Sequence, residues 1–403
     1  MKTLTIRTIA AALAVLYPLF VFAPYSAAAS FFPSALEKID PEDFPVFADD
    51  GNLLDLAEAV SASVSYHERL PAERVILYGK DEYTAAGLAE GLRRFADFLE
   101  TRPSDSELAG FIRKNGSLYA HRQENRPLRI LFTGYYEPEL EGRREPCDTF
   151  RYPVYGRPDD LAEIRLSRFG IREGGGNLQS LIGRFDGRQV VPYFSRSEID
   201  AGALEGRARH IVWVSDPVAL FFLHVQGSGR VVLEDGRAVH LHFEASNGLP
   251  YKSIGKYLVD TGRIDAEAVS MQSIAEYIRE NPDEKTEILH YNPRYIFFSE
   301  ADHGVRGCIG VPLTAGRSVA LDQSVFPPGS LMFVETEKPV VNDDGEIDEW
   351  TGFSRFALNQ DTGSAIRGPR RADFFWGGGA FAETAAGHMQ HPGRMYFIVI
   401  HPE

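Results

Sequence analysis

The chain has 403 residues, a formal net charge of −15 and only two cysteines. That acidity leaves no basic footprint for nucleic acid, and two cysteines do not make a disulfide-built scaffold. Plentiful aromatics, with no low-complexity tract and no repeat, predict an ordinary globular protein of two or three domains.

The first residues join a basic stretch, MKTLTIR, to an apolar run, TIAAALAVLYPLFVFA, and to the small residues Ala27, Ala28 and Ala29. This order predicts a signal peptide over residues 1–29, cut before Ser30. Pro18 and Pro24 interrupt a run already short for a membrane span. No cysteine lies near the cut to carry a lipid, so the expectation is an exported, periplasmic protein without a lipid anchor. Losing Lys2 and Arg7 takes the formal charge from −15 to −17.

Helical periodicity follows. NLLDLAEAVSASVSYHERL places Leu53, Leu56, Val60 and Val64 on one stripe after Asp50, a candidate cap, and TAAGLAEGLRRFADFLE does the same with Leu88, Leu92, Phe95 and Leu99. From Pro127 onward short β-type runs take over, among them LRILFTGYYEPEL, FRYPVYG, RHIVWVS, PRYIFFS, RSVALD, SLMFVETE, SRFALNQ and RMYFIVI. Asp235-Gly236 between alternating flanks predicts a hairpin. Helices are predicted at PVALFFLH, YKSIGKYLVDTG and SMQSIAEYIREN, the last capped by Ser270. The fold class is therefore mainly β with N-terminal helices, with barrels favoured over a parallel α/β sheet.

Two metal-like patterns dissolve on inspection. His240 and His242 share one strand face in RAVHLHFEA with no third ligand near, and VNDDGEIDEW puts Val340 where a calcium loop needs its first acid. The second reads as an acidic hairpin turn. No metal and no cofactor are called for.

Three stretches carry chemistry. FTGYYEPELEG sets Tyr135 beside Tyr136 with acids around them. Sugar binding uses such aromatic platforms, and a β-core explains them equally well. LHVQGSGRV places Gly227, Ser228 and Gly229 after Gln226. A strand rather than a helix follows, which argues against a phosphate cradle and for close approach to the backbone. The C-terminal run holds Asp322, Asp361 and Asp373, each where a strand meets a turn. Turn-capping explains any one of them; their repetition beside glycine-rich bends favours a shared site.

The C-terminal run resembles the three-aspartate domain, a double-psi β-barrel. Together with FTGYYEPELEG, VQGSGRV, YKSIGKYLVDTG and SMQSI, in that order from about Phe132 onward, it resembles the membrane-bound lytic murein transglycosylase A family. The resemblance implies a discontinuous double-psi barrel, residues 30–137 plus 298–403, interrupted by an inserted β-rich domain, residues 138–297, with the glycan in the groove between them. It implies Tyr135, Tyr136, Gln226 and Ser228 as substrate contacts, Asp373 as the catalytic acid, Asp361 as an assisting acid, and Asp322 as a structural one; Gly377, in the glycine run 377–379, is expected to let the strand bend beside the site. Two departures stand out: the family's member of that name is a lipoprotein, and GPRR lengthens the stretch between the two acids.

The implied reaction is non-hydrolytic cleavage between N-acetylmuramic acid and N-acetylglucosamine, leaving 1,6-anhydromuramoyl ends. The sugar's own 6-hydroxyl attacks, so one carboxyl group serves as acid and then base. Such an acid needs a raised pKa. Burial beside Phe374, Phe375 and Trp376 and repulsion by Asp361 raise it, whereas Arg371, on the same strand face, lowers it. The alternatives are a hydrolase using Asp361 and Asp373 as a conventional pair and a non-catalytic glycan-binding barrel. Glycan strands of peptidoglycan are the expected partner, beside unspecified cell-wall synthesis or division proteins. Outer-membrane association would need a route other than lipidation. Whether Cys147 and Cys308 pair stays open.

Overall fold

The computed structural model describes residues 36–123, 126–169, 180–302, 304–363 and 365–402. The predicted signal peptide lies outside them.

The first apolar stripe forms α1 (Leu53–Glu68), burying Leu56, Val60 and Val64. Its cap is Asn52, whose side chain accepts from the Leu54 N–H. Asp50, the expected cap, sits two residues too early and pairs instead with Lys338 and Arg355. The second stripe forms α2 (Ala85–Glu100), capped by Thr84, and buries all four of its apolar residues. A third helix, α3 (Asp105–Asn115), goes beyond the predicted pair; the capping box of Ser104 and Glu107 is its signal.

Strands β1 (Gly116–Ala120) and β2 (Ile130–Glu137) follow, and a single residue, Pro138, separates β2 from β3 (Glu139–Arg143). β3 belongs to a different sheet. Its other strands are β4 (Tyr152–Tyr155), β5 (His210–Val214), β6 (Ser228–Leu233), β7 (Ala238–Ser246) and β8 (Ile296–Ala301), in the order β8-β7-β6-β3-β5-β4. The β6–β7 hairpin turns at Asp235-Gly236 as predicted. Helix α4 (Pro217–Gln226) precedes β6. Helices α5 (Ile254–Asp260), α6 (Met271–Glu280, capped by Ser270) and α7 (Lys285–Tyr291) pack with it into an apolar cluster.

The chain returns through β9 (Ser318–Ala320), β10 (Leu331–Val341), β11 (Ile347–Asp361), β12 (Arg371–Gly378), α8 (Ala380–His388) and β13 (Gln390–Ile400). The acidic VNDDGEIDEW stretch is the β10–β11 turn, where the Asn342 side chain accepts from the N–H groups of Asp344 and Glu346. Six strands close on themselves in the order β13-β10-β11-β9-β12-β2, because β2 also pairs with β13. β9 with β11 and β12 with β2 are parallel, and the other contacts of the ring are antiparallel.

Alternation along β10 explains the packing. Met332 and Val334 join Phe132, Phe374, Trp376 and Phe397 in one core, while Leu331 and Phe333 face the other way onto α1 and α2. Each fully buried side chain of this size contributes about 1.5–3 kcal/mol. A buried ion pair ties the N-terminal segment to the ring. Arg317 donates to both oxygens of Asp49 at 2.7 and 2.8 Å, and both side chains are 1% exposed.

Candidate active site

The ring's register creates one row. Ala320 of β9 pairs with Asp361 of β11 on one side and Asp373 of β12 on the other, and Asp373 pairs in turn with Thr133 of β2. Laterally paired residues share a face, so Asp361, Ala320, Asp373 and Thr133 line up. Two strand spacings separate the acids, roughly 10 Å between backbones. The residue between them is alanine, too short to fill the gap.

Asp373 is half-buried and, among the described residues, accepts one hydrogen bond, from the Thr133 hydroxyl at 2.8 Å. Burial pushes its pKa up to about 6, and the charge of Asp361 adds to that; the Thr133 bond and Arg371 pull the other way. Arg371 acts through space alone: no ion pair joins it to Asp373 among the described residues, and its Nε has no hydrogen-bond partner. Strand alternation also refines the expected aromatic surroundings. Phe374 and Trp376 point into the barrel core, and only Phe375 shares the face of Asp373.

Asp361 is held differently. Its Oδ1 accepts the Cys308 N–H at 2.9 Å and its Oδ2 accepts the Tyr135 hydroxyl at 3.1 Å. Burial raises its pKa as well, but these donors and the Thr362 N–H favour the carboxylate. The two acids therefore have unlike environments, one lightly and one heavily hydrogen-bonded, the arrangement that separates a proton donor from a standing anion. Burial and the nearby acids keep the Tyr135 hydroxyl firmly protonated, so it serves as a donor.

The other predicted residues fall at distinct places. Tyr135 and Tyr136 are 8% and 7% exposed, on opposite faces of β2, and the Tyr136 hydroxyl bonds to Glu383. Gln226 spends its side chain on bracing: its amide oxygen accepts the Tyr136 N–H, and its nitrogen donates to the Met271 sulfur. Gln226 and Ser228 line a cavity of about 710 Å³ whose walls come from both large sheets and which Asp361 also borders. The close approach expected at Gly229 is real, since a Cβ there would lie 2.8 Å from the Pro138 carbonyl oxygen. Asp322 is 5% exposed and accepts from Ser324 and from the Gly368 N–H at 2.7 Å, fastening the loop that joins the two acids. Gly377 has φ +90° at a break in the β12–β2 register. Cys147 and Cys308 are both unpaired.

Sequence reasoning passed over Thr133, although its place two residues before Tyr135 in FTGYYEP puts it on that tyrosine's face. It also passed over the Cys308 N–H, which no side-chain pattern reveals. Arg196, Arg294, Arg306 and Arg367, which line the cavity, lie scattered along the chain and share no motif.

These features define a class: a six-stranded closed barrel bearing a row with two unlike acids, one of which, Asp361, borders a cleft shared with a second sheet. Comparison with known proteins narrows it. Residues 131–299 match the MltA specific insert domain, and residues 317–399 match the 3D domain. Membrane-bound lytic murein transglycosylase A of Vibrio cholerae is 32% identical over 273 residues, covering 66% of this chain and 64% of that relative, a little under two thirds of its length. The crystal structure of the membrane-bound lytic murein transglycosylase from Agrobacterium tumefaciens is similar with a TM-score of 0.72 and 31% identity, covering 91% of this chain and 98% of that one. Escherichia coli MltA with bound chitohexaose has a TM-score of 0.67 and 25% identity, covering 91% and 95%. The chain belongs to the membrane-bound lytic murein transglycosylase A family.

Proposed function

We propose that this protein is a peptidoglycan lytic transglycosylase with Asp373 as its single acid and base. Asp373 gives its proton to the glycosidic oxygen, and the bond from that oxygen to C1 of N-acetylmuramic acid breaks. The 6-hydroxyl oxygen of the same sugar bonds to C1, and its proton returns to Asp373. No water is consumed and the carboxyl group ends as it began. Asp361, held as an anion, steadies positive charge developing at C1.

The observation that carries this reading is the unlike pair on one row: a lightly bonded acid with its pKa raised to about 6 and a heavily bonded one beside the cleft. The family's chitohexaose complex supports a glycan in that cleft. On this reading Ser228 contacts the sugar, Gln226 and the two tyrosines shape its path, and Asp322 and Gly377 support the acid-bearing strands. The ring is a double-psi barrel built from residues 30–137 and 298–403, with 138–297 inserted. Residues 1–29 direct export, and the mature protein works in the periplasm at the cell wall, near the outer membrane.

The test is mass spectrometry of products released from purified peptidoglycan by the wild type and by Asp373→Asn. Muropeptides one water lighter than hydrolytic products, absent with the variant, are expected. The separation of the acids gives a hydrolytic reading some footing, because it leaves room for a water between them. Ordinary reducing ends, lost in both Asp361→Asn and Asp373→Asn, would establish that reading instead.

A further inference from the structure

The cleft carries a charge opposite to that of the chain. Net charge overall is −15, yet the cavity is lined by Arg196, Arg294, Arg306 and Arg367 against one carboxylate, Asp361. That carboxylate is already engaged by Tyr135 and Cys308. None of the four arginines forms an ion pair among the described residues. Among the described residues three of them donate only to neutral carbonyls: Arg294 to Leu249 at 3.2 Å, Arg306 to Gly310 at 3.2 Å, and Arg196 to Arg294 at 2.9 Å. Arg196 is 4% exposed, lies over the rings of Phe221 and Tyr295, and leaves its Nε without a partner. Arg294 is near enough to Arg367 to feel its charge.

Some arginines in or beside the second sheet do take acids: Arg144 and Arg209 share Glu300, Arg207 takes Asp160, and Arg230 takes Glu139. Asp200 acts on Arg196 through space and Asp361 is held by other donors, so four like charges in one cleft outnumber the acids near them, and an anion brought by a ligand relieves their repulsion. A guanidinium fork matches a carboxylate in geometry, with two parallel hydrogen bonds. Sugar hydroxyls and acetamido groups are neutral and do not call for such a wall. The peptides borne by murein strands do, since they carry free carboxylates.

We propose that Arg294 and Arg367, with Arg196 and Arg306 behind them, bind the peptide carboxylates of the substrate strand, so that the cleft selects peptide-bearing glycan. This rests on the transglycosylase reading for the identity of the glycan.

The test compares untreated peptidoglycan with the same material after its free carboxylates are converted to amides by carbodiimide and ammonia. Binding is measured by sedimentation with full-length Asp373→Asn, and kcat/KM with the wild type. A protein of net charge −15 is repelled by a polyanion in general, so non-specific adsorption would improve on amidation. The expected effect has the opposite sign: a preference for untreated strands of roughly tenfold, in KM rather than kcat. That preference falls toward one in Arg294→Gln/Arg367→Gln, and falls partway in Arg367→Gln alone, an exposed position that leaves the core intact.

Equal treatment of the two materials by the wild type overturns the proposal, as does a preference that survives in the double variant. Strands stripped of peptide by an amidase keep a carboxylate on each lactyl group. If they bind as tightly as intact strands, the anion is the sugar's and the peptide assignment is wrong. Failure of the wild type to release anhydro products would sink the transglycosylase reading, while the sedimentation comparison would still decide what the arginines bind.

Discussion

Burial sets the working range of Asp373, and a single hydroxyl trims it. With its pKa raised to about 6, the carboxyl group loses its proton as pH rises, and kcat/KM is expected to fall about tenfold per pH unit above that point. Thr133→Val removes that hydrogen bond to the carboxylate, so the descending limb of the pH profile should move upward by roughly 0.5–1 unit. A profile that stays in place would show that another group governs it. The same shift predicts a stability effect. The native carboxyl group titrates near 6 against an ordinary value of 3.8, so the folded chain binds more protons between those values. Stability is thus fully present below about 4 and is lost as pH rises through about 6. Asp373→Asn has no such charge to bury. It should melt higher than wild type at pH 7.5, by about 1–3 kcal/mol at most, and the two should converge near pH 4. At this scale the sequence was informative about the acids themselves, because lone aspartates among glycines and aromatics stand out. It was silent on which acid is lightly bonded, since the donors to Asp361 include a backbone N–H from a loop 53 residues away.

Strands and their junctions decide whether the row survives. Gly377 sits at φ +90°, and a Cβ there would come within 2.6 Å of the Ala315 Cβ. Gly377→Val should cost about 1–3 kcal/mol and misplace β12, so activity should fall more than melting temperature alone explains. The Arg317–Asp49 pair predicts a larger loss. Asp49→Asn leaves a guanidinium at 1% exposure short of its counter-charge, and denaturant unfolding should show a loss of about 3–5 kcal/mol. Helices were the most legible elements, because apolar stripes at 3.6-residue spacing identify α1 and α2 directly. α8 escaped, because AETAAGH buries only alanines and gives no stripe. β9, the strand that carries the row between the acids, lies inside the predicted run RSVALD but spans three residues, too few for alternation to say which face Ala320 takes.

At the scale of the molecule, the mainly β character and the change from helices to strands were visible in the sequence; the closure of six strands into a ring was not. Register depends on partners more than two hundred residues apart, such as Thr133 with Asp373, and local periodicity holds no record of them. One consequence concerns synthesis. β2 is made early, while β12 and β13, its two neighbours in the ring, come from residues 371–400. A growing chain therefore carries the Thr133 half of the row for most of its length with no acid beside it, and the ring stays open until the last strand arrives. Chains interrupted before about residue 390 should be inert as well as unstable, so a wall-cutting activity of the kind proposed is withheld until the protein is whole.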